Sequence, residues 1–168
     1  MQLLVIRHAI AEERETFAAT GEDDSRRPIT TRGERKMKDV VAGLRRVVGT
    51  LDALGASPRL RAQQTAKIIA EAYGDLPIHT VEALAPDSEP RALVHWLRQH
   101  GSANVVAIVG HEPHLGMLVT WLMTGRLASR VALRKGGACL LECSVRAAAG
   151  DATLQWALTP SQLRRIGR

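Results

Sequence analysis

Aromatic residues are scarce: Phe, Trp and Tyr together make up 3% of the 168 residues. The core must therefore be built from Val, Leu, Ile and Ala, and a surface that stacks single-stranded bases has little to stack with. Long apolar runs are missing too, since no stretch approaches the roughly 18 residues of a membrane-spanning helix. The opening run Leu3–Ile6 ends at Arg7, short of the ~7–15 apolar residues of a secretory signal. The expected compartment is the cytoplasm, with no membrane partner. The two cysteines, Cys139 and Cys143, stand four apart in a stretch that reads as a strand. A strand rises about 3.3 Å per residue, which puts their sulfurs beyond disulfide reach. Neither belongs to a paired Cys/His spacing, so no metal site is expected. Repeats, low-complexity tracts and linkers are also absent, and one domain over residues 1–168 is expected.

What is present is a globular composition, 45% hydrophobic and 24% charged, which excludes a disordered chain. Lys and Arg number 23 against 17 Asp and Glu, a net charge of +6. The basic side chains are scattered rather than blocked. An acidic or phosphorylated partner accounts for them at least as well as nucleic acid, which is not expected.

Leu3–Ile6 has the pattern of a strand buried on both faces. Glu12–Arg27 follows with six acidic residues and no hydrophobic period, and reads as a mobile loop placed to act as a lid. Thr31 and Glu34 form a capping-box signature, and Met37, Val40, Val41, Leu44, Val47 and Val48 keep helical spacing up to Gly49. A strand at Leu51–Gly55 leads to Ser57-Pro58, which predicts a helix with serine as its N-cap and proline at the first position. Pro77–Leu84 reads as extended, Ser88–His100 as a helix, Val105–Val109 as a strand and Leu115–Met123 as a helix stopped by Gly125. Cys139–Val145 and Thr153–Leu158 read as two strands joined through Gly150-Asp151. Strands alternating with helices predict an α/β fold, parallel at the centre and antiparallel toward the C-terminus. In such sheets ligands bind beyond the carboxyl ends of the strands.

Three expected strand ends carry the chemistry. The first delivers Arg7 and His8, the second Ser57 through Arg61 with two arginines, and Val105–Val109 delivers Gly110 and His111. Side by side, these would gather two histidines and two or three arginines at helix N-termini, a setting for a doubly charged anion such as phosphate. No counterbalancing carboxylate comes with the first two motifs. Neutral imidazole is a competent nucleophile, and arginine forks match phosphate oxygens. Phosphoryl transfer is mostly positioning and charge stabilisation, so no metal or other cofactor is expected.

These residues carry a resemblance. Leu3-Leu4-Val5-Ile6-Arg7-His8-Ala9 resembles the Arg-His-Gly signature of the histidine phosphatase superfamily, the phosphoglycerate mutase-like group, with Ala9 in place of the glycine. Ser57-Pro58-Arg59-Leu60-Arg61-Ala62 resembles its second motif and Val109-Gly110-His111-Glu112-Pro113 its third, while Pro28-Ile29-Thr30-Thr31-Arg32-Gly33 resembles its Pro-Leu-Thr-x-x-Gly segment. The motifs occur in the family's order and span nearly the whole chain. The resemblance implies a three-layer α/β sandwich, a mostly parallel central sheet flanked by helices, with an antiparallel strand near the C-terminus. It also implies His8 as the nucleophile and Arg7, Arg61 and His111 as the catalytic and substrate-binding partners. Within the superfamily the SixA-type phosphohistidine phosphatases are most similar, through the short chain, the Ala85-Pro86 after Leu84 and the final Trp156-Ala157-Leu158-Thr159-Pro160. That likeness adds Arg27 as a substrate-side arginine.

Larger members place an acidic proton donor just after the leucine matching Leu84, where this chain has Ala85-Pro86. A general acid is worth about 10²–10⁴ in rate when an alkoxide must leave, and phosphoimidazole needs less help. The expected activity is removal of phosphate from a phosphohistidine protein in signal transduction, such as a phosphotransfer domain, through phospho-His8. His111, Glu82, Glu112 and His114 stay open as proton donors. A small phosphorylated substrate, handled by a phosphomonoesterase or a mutase-like enzyme, is the alternative; a non-catalytic module that binds phosphoproteins is the next.

Overall fold

A computed structural model describes residues 1–144 and 146–168. Among the described residues six strands form one sheet: β1 (Gln2–Arg7), β2 (Ala53–Ala56), β3 (Ile78–Thr80), β4 (Val105–Gly110), β5 (Ala138–Cys143) and β6 (Ala152–Leu158). Their order is β3-β2-β4-β1-β5-β6. The first four are mutually parallel, β5 runs antiparallel to β1, and β6 antiparallel to β5. The expected strand Cys139–Val145 is thus β5, one residue earlier at its start; Val145 lies outside the described residues.

The helices are α1 (Arg14–Ala18), α2 (Thr31–Val47), α3 (Leu60–Ala72), α4 (Leu93–Gln99), α5 (His114–Thr124) and α6 (Pro160–Ile166). Side chains alternate across a strand, and the two core layers divide accordingly. Leu4, Ile6, Ala107 and Val109 pack with Met37, Val41, Leu44, Ala66, Ile69 and Leu163 from α2, α3 and α6. Leu3, Val5, Val106 and Ile108 pack with Leu93, Leu97, Leu115, Leu118 and Leu122 from α4 and α5. With so few aromatics, Trp96 finds room on this second face because β2 carries Gly55, where a Cβ would meet the indole at 2.8 Å.

Several boundaries differ from expectation for local reasons. The 12–27 segment holds α1 and a 3₁₀ turn at Asp24–Arg26, anchored by the buried Phe17. The α2 N-cap is Thr30, whose hydroxyl accepts from the Gly33 N–H; Glu34 pairs with Lys38 instead. A side chain at Gly33 would run into the Ile10 carbonyl, so that position tolerates nothing larger. Ser57 does not cap α3, whose N-cap is Arg59. Pro77–Leu84 splits into β3 and a 3₁₀ turn, and the helix expected from Ser88 begins as a 3₁₀ turn at Pro90 before α4. Helix α6 had not been anticipated, although Thr159-Pro160-x-Gln162 spells a complete capping box with proline at N1.

Candidate active site

β1 lies beside β4, and β4 beside β2, all parallel. Their carboxyl ends therefore open onto one rim, and the residues that follow each strand meet there. A cavity of about 240 Å³ is lined by Arg7, His8, Arg27, Arg61, His111 and Lys135, with Glu13, Arg14, Pro86 and Glu112 completing the wall. All five residues expected to form the site thus border one space.

His8 follows β1 and is buried. Its Nδ1 lies 2.7 Å from the Ala9 carbonyl, and a carbonyl only accepts, so Nδ1 carries the hydrogen and Nε2 keeps its lone pair. No described residue bonds Nε2. Burial, reinforced by the charges of Arg61, Arg7 and Lys135 against one raising bond to Ala9, pushes the ring pKa down to about 3. The imidazole is neutral at physiological pH.

His111 follows β4, its ring centroid 5.0 Å from that of His8. Burial first, then the proximity of His8 and Arg61, depresses its pKa as well. Its Nε2 sits 2.8 Å from Ser57 Oγ. The hydroxyl sequence reasoning assigned to a helix cap thus holds the second histidine, a role visible only once β2 and β4 are known to be neighbours. Thr65 was missed in the same way: its Oγ1 accepts from the Ala9 N–H at 3.0 Å and donates to the Arg61 carbonyl at 2.6 Å. It ties the backbone beside His8 to the turn that carries Arg61.

The guanidiniums are fixed from different directions. Arg7 donates to the Leu133 carbonyl at 2.7 Å. Arg27, buried, donates to the Glu12 carbonyl at 2.6 Å and to Asp24 Oδ1 at 2.7 Å. Arg61, also buried, donates to the Asp24 carbonyl at 2.9 Å and lies 3.1 Å from Asp24 Oδ2. A carboxylate therefore does face Arg61, contributed by the 12–27 segment rather than by the strand-end motifs. Burial pushes the Asp24 carboxyl up, but the Arg27 bond and the charges of Arg61 and Arg27 outweigh it and hold the group below its ordinary value. Arg7 Nε, Arg61 Nε and His111 Nδ1 are buried with no partner among the described residues.

Glu112 serves the scaffold, accepting from the Gly116 N–H at 3.1 Å and the Leu133 N–H at 2.7 Å. Glu82 and His114 do not line the cavity, and Pro86 does. Glu13 is the exposed carboxylate on its wall.

Whole-chain comparisons place this fold beside known proteins. Residues 3–85 fit the model of the histidine phosphatase superfamily (branch 1). An uncharacterized protein of Picosynechococcus is 33% identical over 139 residues, 82% of this chain and 82% of that one. The chain belongs to the histidine phosphatase superfamily. Membership supports a phosphatase, a hydrolase acting on phosphorylated substrates. Solved members share the fold at low identity. The protein histidine phosphatase SixA complexed with tungstate superposes with a TM-score of 0.80 at 22% identity, over 97% of this chain and 99% of that one. Phosphoserine phosphatase from Entamoeba histolytica, with 3-phosphoglyceric acid, gives 0.69 at 17% over 96% and 98%. The α-ribazole phosphatase from Shigella flexneri gives 0.70 at 17% over 95% and 97%. Among the described residues no helix is long and apolar enough to cross a membrane.

Proposed function

We propose that this superfamily member removes phosphate from phosphohistidine of a protein, with His8 as the nucleophile. The observation that carries the proposal is the state of His8: buried, neutral, its Nδ1–H committed to Ala9, its Nε2 lone pair without a protein partner. In the first step that lone pair attacks phosphorus and the bond from phosphorus to the substrate nitrogen breaks. When the second ring nitrogen of the leaving phosphoimidazole is protonated, it departs as neutral imidazole and needs no separate acid. In the second step water attacks phospho-His8, its protons pass to solvent and product, and Nε2 regains its lone pair as inorganic phosphate leaves.

Arg7, Arg61, Arg27 and His111 supply the positive charge and N–H donors that this transfer needs. The Nε–H groups of Arg7 and Arg61 are donors by chemistry, and a buried donor left unpaired costs about 1–3 kcal/mol; a bound oxyanion would relieve that. Ser57 is a positioning residue for His111. Its Oγ accepts from the Arg59 N–H at 3.4 Å and fixes the ring of His111 through Nε2, which leaves Nδ1 without a protein partner among the described residues. Tungstate in the SixA structure is an oxyanion of the same shape as phosphate, which agrees with this reading.

Pro86 occupies the wall where a dedicated acid would serve an alkoxide leaving group, which favours phosphohistidine over phosphate esters. The exposed Glu13 supports the second reading, a small-molecule phosphomonoesterase. A panel assay separates them: a phosphohistidine phosphotransfer domain, phosphoserine and sugar phosphates, compared by kcat/KM without added metal. The proposal expects the phosphotransfer domain to be favoured by at least 10²-fold; equal or better turnover of the esters would overturn it. Binding without turnover of any of them would instead make the chain a phosphoprotein-binding module.

A further inference from the structure

One strand over from the catalytic cavity, on the same rim, lies a second cavity of about 230 Å³. It sits where α2 begins, where the 134–137 turn precedes β5, and where β6 gives way to α6. Its wall carries four cations, Lys36, Arg134, Lys135 and Arg164, and no Asp or Glu. None of the four is within ion-pair distance of a carboxylate among the described residues. The hydroxyl-bearing Thr159 and Ser161 stand beside them. Arg32 outside the cavity, then burial and the cavity's own Arg164, hold the Lys36 ammonium below its ordinary pKa. A concave site with several half-buried cations and no internal counter-charge has the field and the donors that attract an anion.

This cavity is mechanically joined to the nucleophile. Lys135 lines both spaces. The Gly136 N–H reaches the Arg7 and His8 carbonyls, each at 3.1 Å, and the Arg7 N–H donates to the Gly137 carbonyl at 3.0 Å. The turn that presents Arg134 and Lys135 is thus bonded to the residues that present the attacking imidazole. A substrate whose phosphoryl group meets His8 would place neighbouring groups over Lys135 and into the second cavity.

We propose that the Lys36–Arg134–Lys135–Arg164 cavity is a second anion subsite that binds an acidic group attached to the same substrate molecule as the phosphoryl group. The chemistry is a carboxylate or phosphate oxygen shared among ammonium and guanidinium donors. Acidic side chains flanking a phosphorylated residue, or a second phosphate on a small molecule, would both supply it. The inference rests on the phosphatase reading only for its kinetic consequence; anion binding stands apart from turnover.

The test uses Lys36→Gln with Arg164→Gln, two positions outside the catalytic cavity. One substrate pair is a phosphohistidine peptide flanked by three glutamates and its glutamine counterpart. The other is glucose 1,6-bisphosphate and glucose 6-phosphate. Wild type should favour the more acidic member of at least one pair by about tenfold in kcat/KM, the effect of two screened charges. The double variant should lose that preference while keeping its rate on the less acidic member. A response in the peptide pair identifies a protein source for the anion; one in the bisphosphate pair identifies a small molecule. No preference in either pair, or an equal loss on both members, would overturn the subsite. In parallel, calorimetry with the unphosphorylated glutamate peptide and His8→Ala protein should show at least fivefold weaker binding when Lys36 and Arg164 are also replaced. That result without turnover of any substrate would refute the phosphatase reading and keep the subsite, whereas unchanged or absent binding would refute the subsite.

Discussion

Asp24→Asn should tighten the binding of inorganic phosphate. Asp24 spans two guanidiniums of the site, with Oδ1 2.7 Å from Arg27 Nε and Oδ2 3.1 Å from Arg61. A phosphate oxygen drawn to Arg61 would compete with this carboxylate. Both arginines are buried, but the carboxylate is 35% exposed, so water screens much of the attraction. A charge-assisted contact of this kind, discounted for that exposure, is worth about 1 kcal/mol, which is roughly a fivefold change in affinity. Asparagine keeps the size and the backbone carbonyl that Arg61 also uses, removes the competing charge, and can still accept from Arg27 through its one remaining oxygen. Titration calorimetry with phosphate, at low and moderate salt, reads the effect directly. The expectation is about fivefold tighter binding in the variant, shrinking as salt rises. Unchanged or weaker binding would refute the competition and make Asp24 a residue that positions Arg27 and Arg61.

Stability should fall on acidification below the ordinary histidine pKa of 6.5, because His8 and His111 are depressed by burial and stay neutral in the fold. Unfolding lets both rings protonate, so each costs roughly 1 kcal/mol of stability per pH unit below that point; urea midpoints that stay level between pH 7 and pH 5 would contradict two buried neutral rings. Ser57→Ala removes the partner of His111 Nε2 and should lower kcat about tenfold with little change in KM, read by steady-state kinetics on the phosphotransfer domain. Thr65→Val strips the acceptor from the buried Ala9 N–H and should lower the Tm by roughly 3–10 °C, read by calorimetry.

The pieces of the sequence that could be read were those whose signal is local or strictly periodic. Leu3–Ile6 and Val105–Val109 carry continuous apolar runs because both faces of β1 and β4 are covered, and their ends pointed to Arg7, His8 and His111. What escaped notice depends on contacts between distant segments. Nothing next to Ser57 in the chain reveals that His111 will lie against it, and nothing near Thr65 reveals Ala9. Asp24 looked like one acidic residue in a polar loop; it faces Arg61 only because the fold lays that loop against the start of α3. Helix α6 is a different case, since its capping signal was present in Thr159-Pro160-x-Gln162 and only its shortness hid it.

The account turns on Nε2 of His8 as the atom that takes the phosphoryl group. Mixing the protein with a stoichiometric phosphohistidine phosphotransfer domain, quenching with base within milliseconds and reading the product by mass spectrometry and ³¹P NMR tests this directly. The account predicts one phosphate on His8, attached at Nε2 because Nδ1 is held by Ala9. Phosphate at Nδ1, phosphate on His111 instead, or turnover that continues in His8→Ala protein would contradict it.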